Sequence, residues 1–216
     1  MPKSRPFDEN AERYEQWFEK NALAYESELA AVRMLLPDKG VGMEVGIGSG
    51  RFAAPLGIRF GVDPSARMRE IAGERGIDVV PGVAENLPYP DSRFDFVLMV
   101  TTICFLDNVG AALSESHRVL RPGGCIIIGF VDRESEVGKS YVKHKEENPF
   151  YREAQFFSLD EVRCHLEEAG FGDFAFSQAI FCRPGDMREI ETPKEGHGEG
   201  SFVVVRAHKQ ELSEAD

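Results

Sequence analysis

Three glycines at alternate positions, Gly46, Gly48 and Gly50, follow directly on the apolar run 41–45 and precede a candidate helix. Glycines at a strand end let the backbone turn sharply and let a ligand press against bare main chain. Asp63 closes the next apolar run, 17 positions after Gly46. An acidic side chain at such a strand end can accept hydrogen bonds from both hydroxyls of a ribose. Together the two features specify a nucleoside bound at the switch point of an open parallel sheet.

The rest of the chain agrees with that sheet. Short apolar runs at 41–45, 58–62, 79–80, 94–100 and 125–131 alternate with a short helix after Gly50 and helices at 64–75 and 108–120. Strands alternating with helices imply parallel pairing, with helices covering both faces. Arg121-Pro122-Gly123-Gly124 reads as the turn into the fifth strand. Ser158-Leu159-Asp160-Glu161 is a capping box opening a helix that Gly170 closes. Two last strands, 174–181 and 202–206, form an antiparallel hairpin across a glycine-punctuated connection, and the charged tail from His208 is expected to fray.

Two segments stand outside this rhythm. Tyr14, Trp17, Phe18, Tyr25, Leu29, Val32 and Leu36 form an apolar helical stripe, interrupted near Asn21 and ended by Pro37. It reads as an N-terminal helical cap over about residues 8–36, with Tyr14 closing over a ligand. The charged stretch 132–157, with Tyr141, His144, Phe150 and Tyr151, is too long for a connector. The expected architecture is one domain over residues 1–216: an α/β, Rossmann-like, doubly wound sheet of seven strands. It is mostly parallel, with a C-terminal antiparallel hairpin and helices on both faces.

Composition narrows the partners. The 216 residues carry 25 Lys and Arg against 37 Asp and Glu, a formal charge of −12. Such a surface repels nucleic-acid phosphates and anionic headgroups, so no nucleic acid and no stable membrane association is expected. No run approaches the ~20 apolar residues that span a bilayer. The first residues show no secretory core, and Cys104, Cys125, Cys164 and Cys182 lack paired spacing. A cytoplasmic protein with reduced thiols and no metal site is expected; the oligomeric state is left open.

The glycine spacing decides which nucleoside. A dinucleotide fold places its third glycine where Arg51 stands here, and Glu44 sits badly beside pyrophosphate but suits an ammonium group. Glu-x-Gly-x-Gly-x-Gly followed by Gly61-Val62-Asp63 resembles the first motif and acidic residue of class I S-adenosylmethionine-dependent methyltransferases. Gly82-Val83-Ala84-Glu85-Asn86-Leu87-Pro88 with Phe94-Asp95-Phe96-Val97, and Arg118–Gly124, resemble further landmarks of the small-molecule branch (methyltransferase type 11, ubiquinone-biosynthesis-like).

The resemblance implies a cofactor, S-adenosyl-L-methionine, leaving as S-adenosyl-L-homocysteine, and a small-molecule methyl acceptor. It implies that Gly46 and Gly48 pack against the methionine part, with Glu44 orienting it. Asp63 would hold the ribose and Met68 the adenine face, while Ala84 and Glu85 line the adenine edge. Val100 and Thr101 would approach the methionine end, beneath Tyr14. Two departures stand out: Val83 replaces the aspartate that often accepts from the adenine amine, and the helix after Gly50, with Pro55, is short.

Methyl transfer from a sulfonium is an in-line displacement that needs alignment first and a base only if the acceptor must lose a proton. No residue presents itself as catalytic. Tyr141 and His144 are substrate candidates, His117 reads as a structural histidine on a sheet-flanking helix, and His197 as part of a flexible turn. The Asn/Asp-Pro-Pro-aromatic signature of planar-amine methylation is absent after the fourth strand, where Thr101 and Thr102 stand. The cysteines read as buried, unreactive sulfur rather than a metalloid site. A non-catalytic module that binds S-adenosylmethionine is the alternative; a nicotinamide oxidoreductase is disfavoured by the glycine spacing, and a quinone methylase by the charge.

Overall fold

The computed structural model describes residues 3–210. Helices α1 (Arg5–Glu9), α2 (Ala11–Lys20) and α3 (Ala22–Leu35) precede the sheet. Its strands are β1 (Gly42–Val45), β2 (Phe60–Asp63), β3 (Asp78–Pro81), β4 (Phe94–Val100), β5 (Leu120–Val131), β6 (Phe171–Ala179), β7 (Lys194–Glu195) and β8 (Phe202–Lys209). They lie side by side as β3-β2-β1-β4-β5-β8-β6-β7. The first five pair in parallel, and β8 enters antiparallel between β5 and β6. Helices α4 (Ala66–Glu74), α5 (Val109–Val119), α6 (Glu136–His144) and α7 (Leu159–Glu168) complete the chain.

Both faces of the sheet are dry, which is why the central strands read as continuous apolar runs. Along β4, Val97 and Met99 join Leu113 of α5 and Val162 and Leu166 of α7 in one core. Phe96, Leu98 and Val100 point the other way, into a core with Leu29, Val32 and Leu35 of α3 and Ala72 of α4. Local signals set the ends. Ser65 accepts from Met68 N–H at the start of α4, and Ser158 and Glu161 form the reciprocal capping box of α7.

Several boundaries differ from the expectations. The sheet has eight strands because the 183–201 connection adds the two-residue β7 beside β6. Buried Gln178 fixes the end of that connection, its Oε1 accepting from Glu199 and Gly200 N–H at 2.8 and 2.7 Å. No helix follows Gly50: residues 51–57 form successive turns closed by Ile58 N–H to the Ala53 carbonyl at 2.9 Å. Pro55 has no N–H to continue a helix there. β5 begins at Leu120 rather than 125, its register with β4 jumping from Phe94↔Leu120 to Phe96↔Cys125, so the expected turn becomes a bulge inside a strand. The cap divides at Asn21, whose side-chain Nδ2 and backbone N–H both donate to the Trp17 carbonyl at 2.9 Å. The tail holds beyond His208: β8 runs to Lys209, and Gln210 N–H donates to Gly170 at 2.9 Å. Residues 211–216 lie outside the described residues.

Candidate active site

A cavity of about 520 Å³ opens over the C-terminal ends of β1, β2 and β4. That is where strand order reverses, with β1 flanked by β2 and β4, and where open parallel sheets bind ligands. The glycine loop makes its floor. Gly46 and Gly48 have φ of +64° and +54°; a Cβ on Gly46 would lie 2.3 Å from Thr102 Cγ2, and one on Gly48 would lie 3.0 Å from the Tyr14 hydroxyl. Bare backbone is therefore required at both positions. Thr102 ties the loop after β4 to this floor, its one hydroxyl proton within reach of the carbonyls of Val100 (3.0 Å) and Gly46 (3.2 Å). Thr101 beside it holds the left-handed conformation, φ +50°.

Asp63 lies at the centre of the floor, 6% exposed. Its two carboxylate oxygens accept from Gly48 and Ser65 N–H, each at 2.8 Å, so it couples the glycine loop to the start of α4. Burial outweighs these bonds and raises its pKa to about 6. Met68, Val83, Ala84 and Glu85 form one end of the cavity. The Glu85 carboxylate turns away from it to accept from Asp107 and Asn108 N–H at 2.9 and 3.1 Å.

The roof is aromatic. Phe7 of α1 meets Tyr14, Phe105 and Phe150 at ring-centroid distances of 5.8, 5.2 and 5.2 Å. The cap is thereby joined to the loop after β4 and to the 132–157 segment. Glu15 latches the cap from beneath: it accepts from Arg51 at 2.6 Å and Arg75 at 2.5 Å, and Arg75 also donates to the Ser49 carbonyl. Tyr14 is enclosed, and burial with the nearby Glu44 and Asp63 charges raises its pKa far above the phenol range.

Ten of the twelve expected site residues face this cavity: Tyr14, Gly46, Gly48, Asp63, Met68, Ala84, Glu85, Val100, Thr101 and Tyr141. Glu44 lies behind the glycine loop, 2% exposed, with Oε2 unpartnered and its pKa pushed up by burial. His144 is a correction: it ends α6, half-exposed and turned to Glu147 at 3.1 Å, away from the cavity. His197 packs on Phe176 at 5.1 Å and His117 on Phe171 at 5.3 Å, both outside the cavity. Cys104 is half-buried and Cys125 buried, but Cys164 and Cys182 are exposed: Cys164 lies on the outer face of α7, and Cys182 lies in the loop three residues past β6 rather than at a strand end. The sequence reading missed Phe7, Thr102 and Glu28. Glu28 alone carried a signal, an acid three residues after Tyr25 and one before Leu29 within the apolar stripe.

A family model described as a methyltransferase domain matches residues 43–128. The crystal structure of an S-adenosylmethionine-dependent methyltransferase from Thermotoga maritima, described as a possible histamine N-methyltransferase, is 51% identical with a TM-score of 0.94. The match covers 96% of this chain and 100% of that one. The chain belongs to the S-adenosylmethionine-dependent methyltransferases. An uncharacterized protein of Methanocaldococcus jannaschii is 44% identical over 94% of this chain and 98% of its own. A demethylmenaquinone methyltransferase of Staphylococcus aureus is 25% identical over 77% and 83% respectively. The expected fold, methyltransferase class and cofactor are thus those of its relatives.

The floor suits that cofactor. Glu44 and Asp63 put two buried carboxyl groups beside bare backbone, which favours a sulfonium and an ammonium over a pyrophosphate. Among the described residues, no group of three or more His, Cys, Asp or Glu could hold a metal ion, and no helix is long and apolar enough to cross a membrane.

Proposed function

We propose that this methyltransferase passes its methyl group to a small molecule held between the cap and the 132–157 segment. The observation that carries this reading is the aromatic roof. Phe7, Tyr14 and Phe150 converge from three separate segments over the cavity, and the cavity volume lies in the range of small-ligand sites. The formal charge of −12 supports the same class against nucleic acid. The free cysteines support a cytoplasmic setting.

S-adenosylmethionine supplies an activated methyl group on a sulfonium. In this reading Asp63 accepts from the ribose hydroxyls, Met68 and Ala84 enclose the adenine, and Glu85 contributes through its backbone. The glycine loop, Val100 and Thr101 hold the methionine end, and buried Glu44 sets the field there. Tyr14 closes the cap and excludes water. Alignment of donor and acceptor then supplies the acceleration, worth up to ~7–11 kcal/mol at ideal geometry. The relatives' descriptions name both histamine and demethylmenaquinone, so they leave the acceptor class open.

Incubation with methyl-tritiated S-adenosylmethionine and a cell extract divided by mass tests the proposal. Label is expected in the low-mass fraction, with matching S-adenosylhomocysteine. Label confined to protein or nucleic acid contradicts it.

A further inference from the structure

Four acidic residues line the cavity, and the carboxyl groups of three of them are engaged. Asp63 accepts from the Gly48 and Ser65 amides, Glu85 from those of Asp107 and Asn108, and Asp107 lies 3.8 Å from the Lys3 ammonium. The fourth is Glu28, on α3. It is 7% exposed and lines the cavity, and its carboxyl group has no hydrogen bond or ion pair among the described residues. An unpartnered buried carboxyl is costly to a fold. A ligand that brings the missing partner offsets that cost.

The surroundings say which partner. Tyr141 and Tyr151, with ring centroids 5.1 Å apart, stand close enough that the Glu28 charge adds to burial in raising both phenols. Neutral aromatic rings and a carboxyl group lining one cavity favour a cation. Arg13 and Lys20 also border the cavity, but both are exposed, and water screens their attraction for an anion. Glu28 acts at short range in an apolar wall, where its influence is larger.

Resting on the methyl-transfer reading above, we propose that Glu28 selects the methyl acceptor, and that the acceptor is a small alkyl amine whose nitrogen bonds to this carboxyl group beside Tyr141 and Tyr151. Burial holds Glu28 at about 8, within reach of amine basicity. Above that pH Glu28 is ionised, and an ammonium that enters can then pass one proton from nitrogen to its carboxylate oxygen. The amine is then neutral, its lone pair free, and the carboxyl group is uncharged. Only an alkyl nitrogen is sought, in keeping with the absent planar-amine signature.

The test is calorimetric titration of protein loaded with S-adenosylhomocysteine at about pH 8.5, where Glu28 is largely ionised and a primary alkyl amine keeps its proton. The probes are 2-phenylethylamine, tryptamine and histamine, each beside the alcohol that carries a hydroxyl in place of its primary amino group. At least one amine is expected to bind about tenfold or more tightly than its alcohol, as a charge-assisted bond requires. Glu28→Gln is expected to bring that ratio to near one while still loading S-adenosylhomocysteine, and Glu28→Asp to keep part of it. A merely structural Glu28 would lower amine and alcohol binding alike and leave the ratio unchanged. Three amines bound no better than their alcohols, or a preference that survives Glu28→Gln, overturns the inference. Wild-type protein that fails to load S-adenosylhomocysteine overturns the methyl-transfer reading, and this inference with it.

Discussion

Replacing Asp63 by asparagine is expected to move stability and cofactor affinity separately. Burial raises the carboxyl pKa from an ordinary 3.8 to about 6, so within the fold the charged form is the costlier one. The stability it contributes is therefore fully present below 3.8 and lost as pH rises through about 6. Over that interval the loss approaches about 3 kcal/mol, which an asparagine does not suffer. Against this gain, the amide has one oxygen for the two N–H donors of Gly48 and Ser65. Leaving one of them facing an NH₂ group costs about 1–3 kcal/mol. The two effects nearly cancel near pH 7.5, and the melting temperature is expected to stay within several degrees of wild type.

Affinity has no such compensation. The ribose hydroxyls would lose an ionised acceptor, at about 1.5–3 kcal/mol per charge-assisted bond, or roughly tenfold to a hundredfold in Kd. Wild-type affinity is also expected to fall about tenfold between pH 7.5 and 5, as Asp63 protonates, while the variant's stays flat. Calorimetry with S-adenosylhomocysteine at both pH values, with thermal denaturation of both proteins, reads all three effects. Undiminished affinity in Asp63→Asn at pH 7.5 would refute the reasoning, as would a wild-type affinity insensitive to pH.

Three further outcomes follow from the same geometry. Glu15→Gln removes the charge shared by Arg51 and Arg75, whose side chains are about a quarter exposed. A loss of about 1–2 kcal/mol is expected, with faster hydrogen exchange in α2. Gly46→Ala forces a Cβ into Thr102 at a left-handed φ; loss of S-adenosylhomocysteine binding and at least about 1–3 kcal/mol of stability are expected by calorimetry and denaturation. His144→Ala, at an exposed pair with Glu147, is expected to change turnover not at all and stability by less than about 0.5 kcal/mol in the same assays.

The parts of the site that were legible in the sequence are those fixed by local backbone chemistry. The glycine loop needs positive φ, and Asp63 needs only to end the strand beside it, so neighbouring residues announce both. The two-sided burial of β4 is legible for the same reason, as an unbroken apolar run. Glu28 was not legible as a site residue. Its place in the stripe gives burial, but whether it meets core or cavity depends on how α3 lies on β6 and β8, a long-range matter. His144 failed in the opposite direction: the charged segment does reach the cavity, but through Tyr141, Phe150 and Tyr151, while the end of α6 turns out to solvent. The expected helix after Gly50 failed because seven residues containing Pro55 leave too few N–H groups to sustain one before β2. Phe7 was missed because five-residue α1 is too short to show a period.

The most direct measurement is a parallel titration of the wild-type protein with S-adenosylmethionine, S-adenosylhomocysteine and NAD. Binding of the first two in the micromolar range, about −8 kcal/mol, with no binding of NAD, is the expected result. Binding of neither adenosyl compound, or a preference for NAD, would contradict the account of Glu44, Asp63 and the glycine loop as a methyl-donor site.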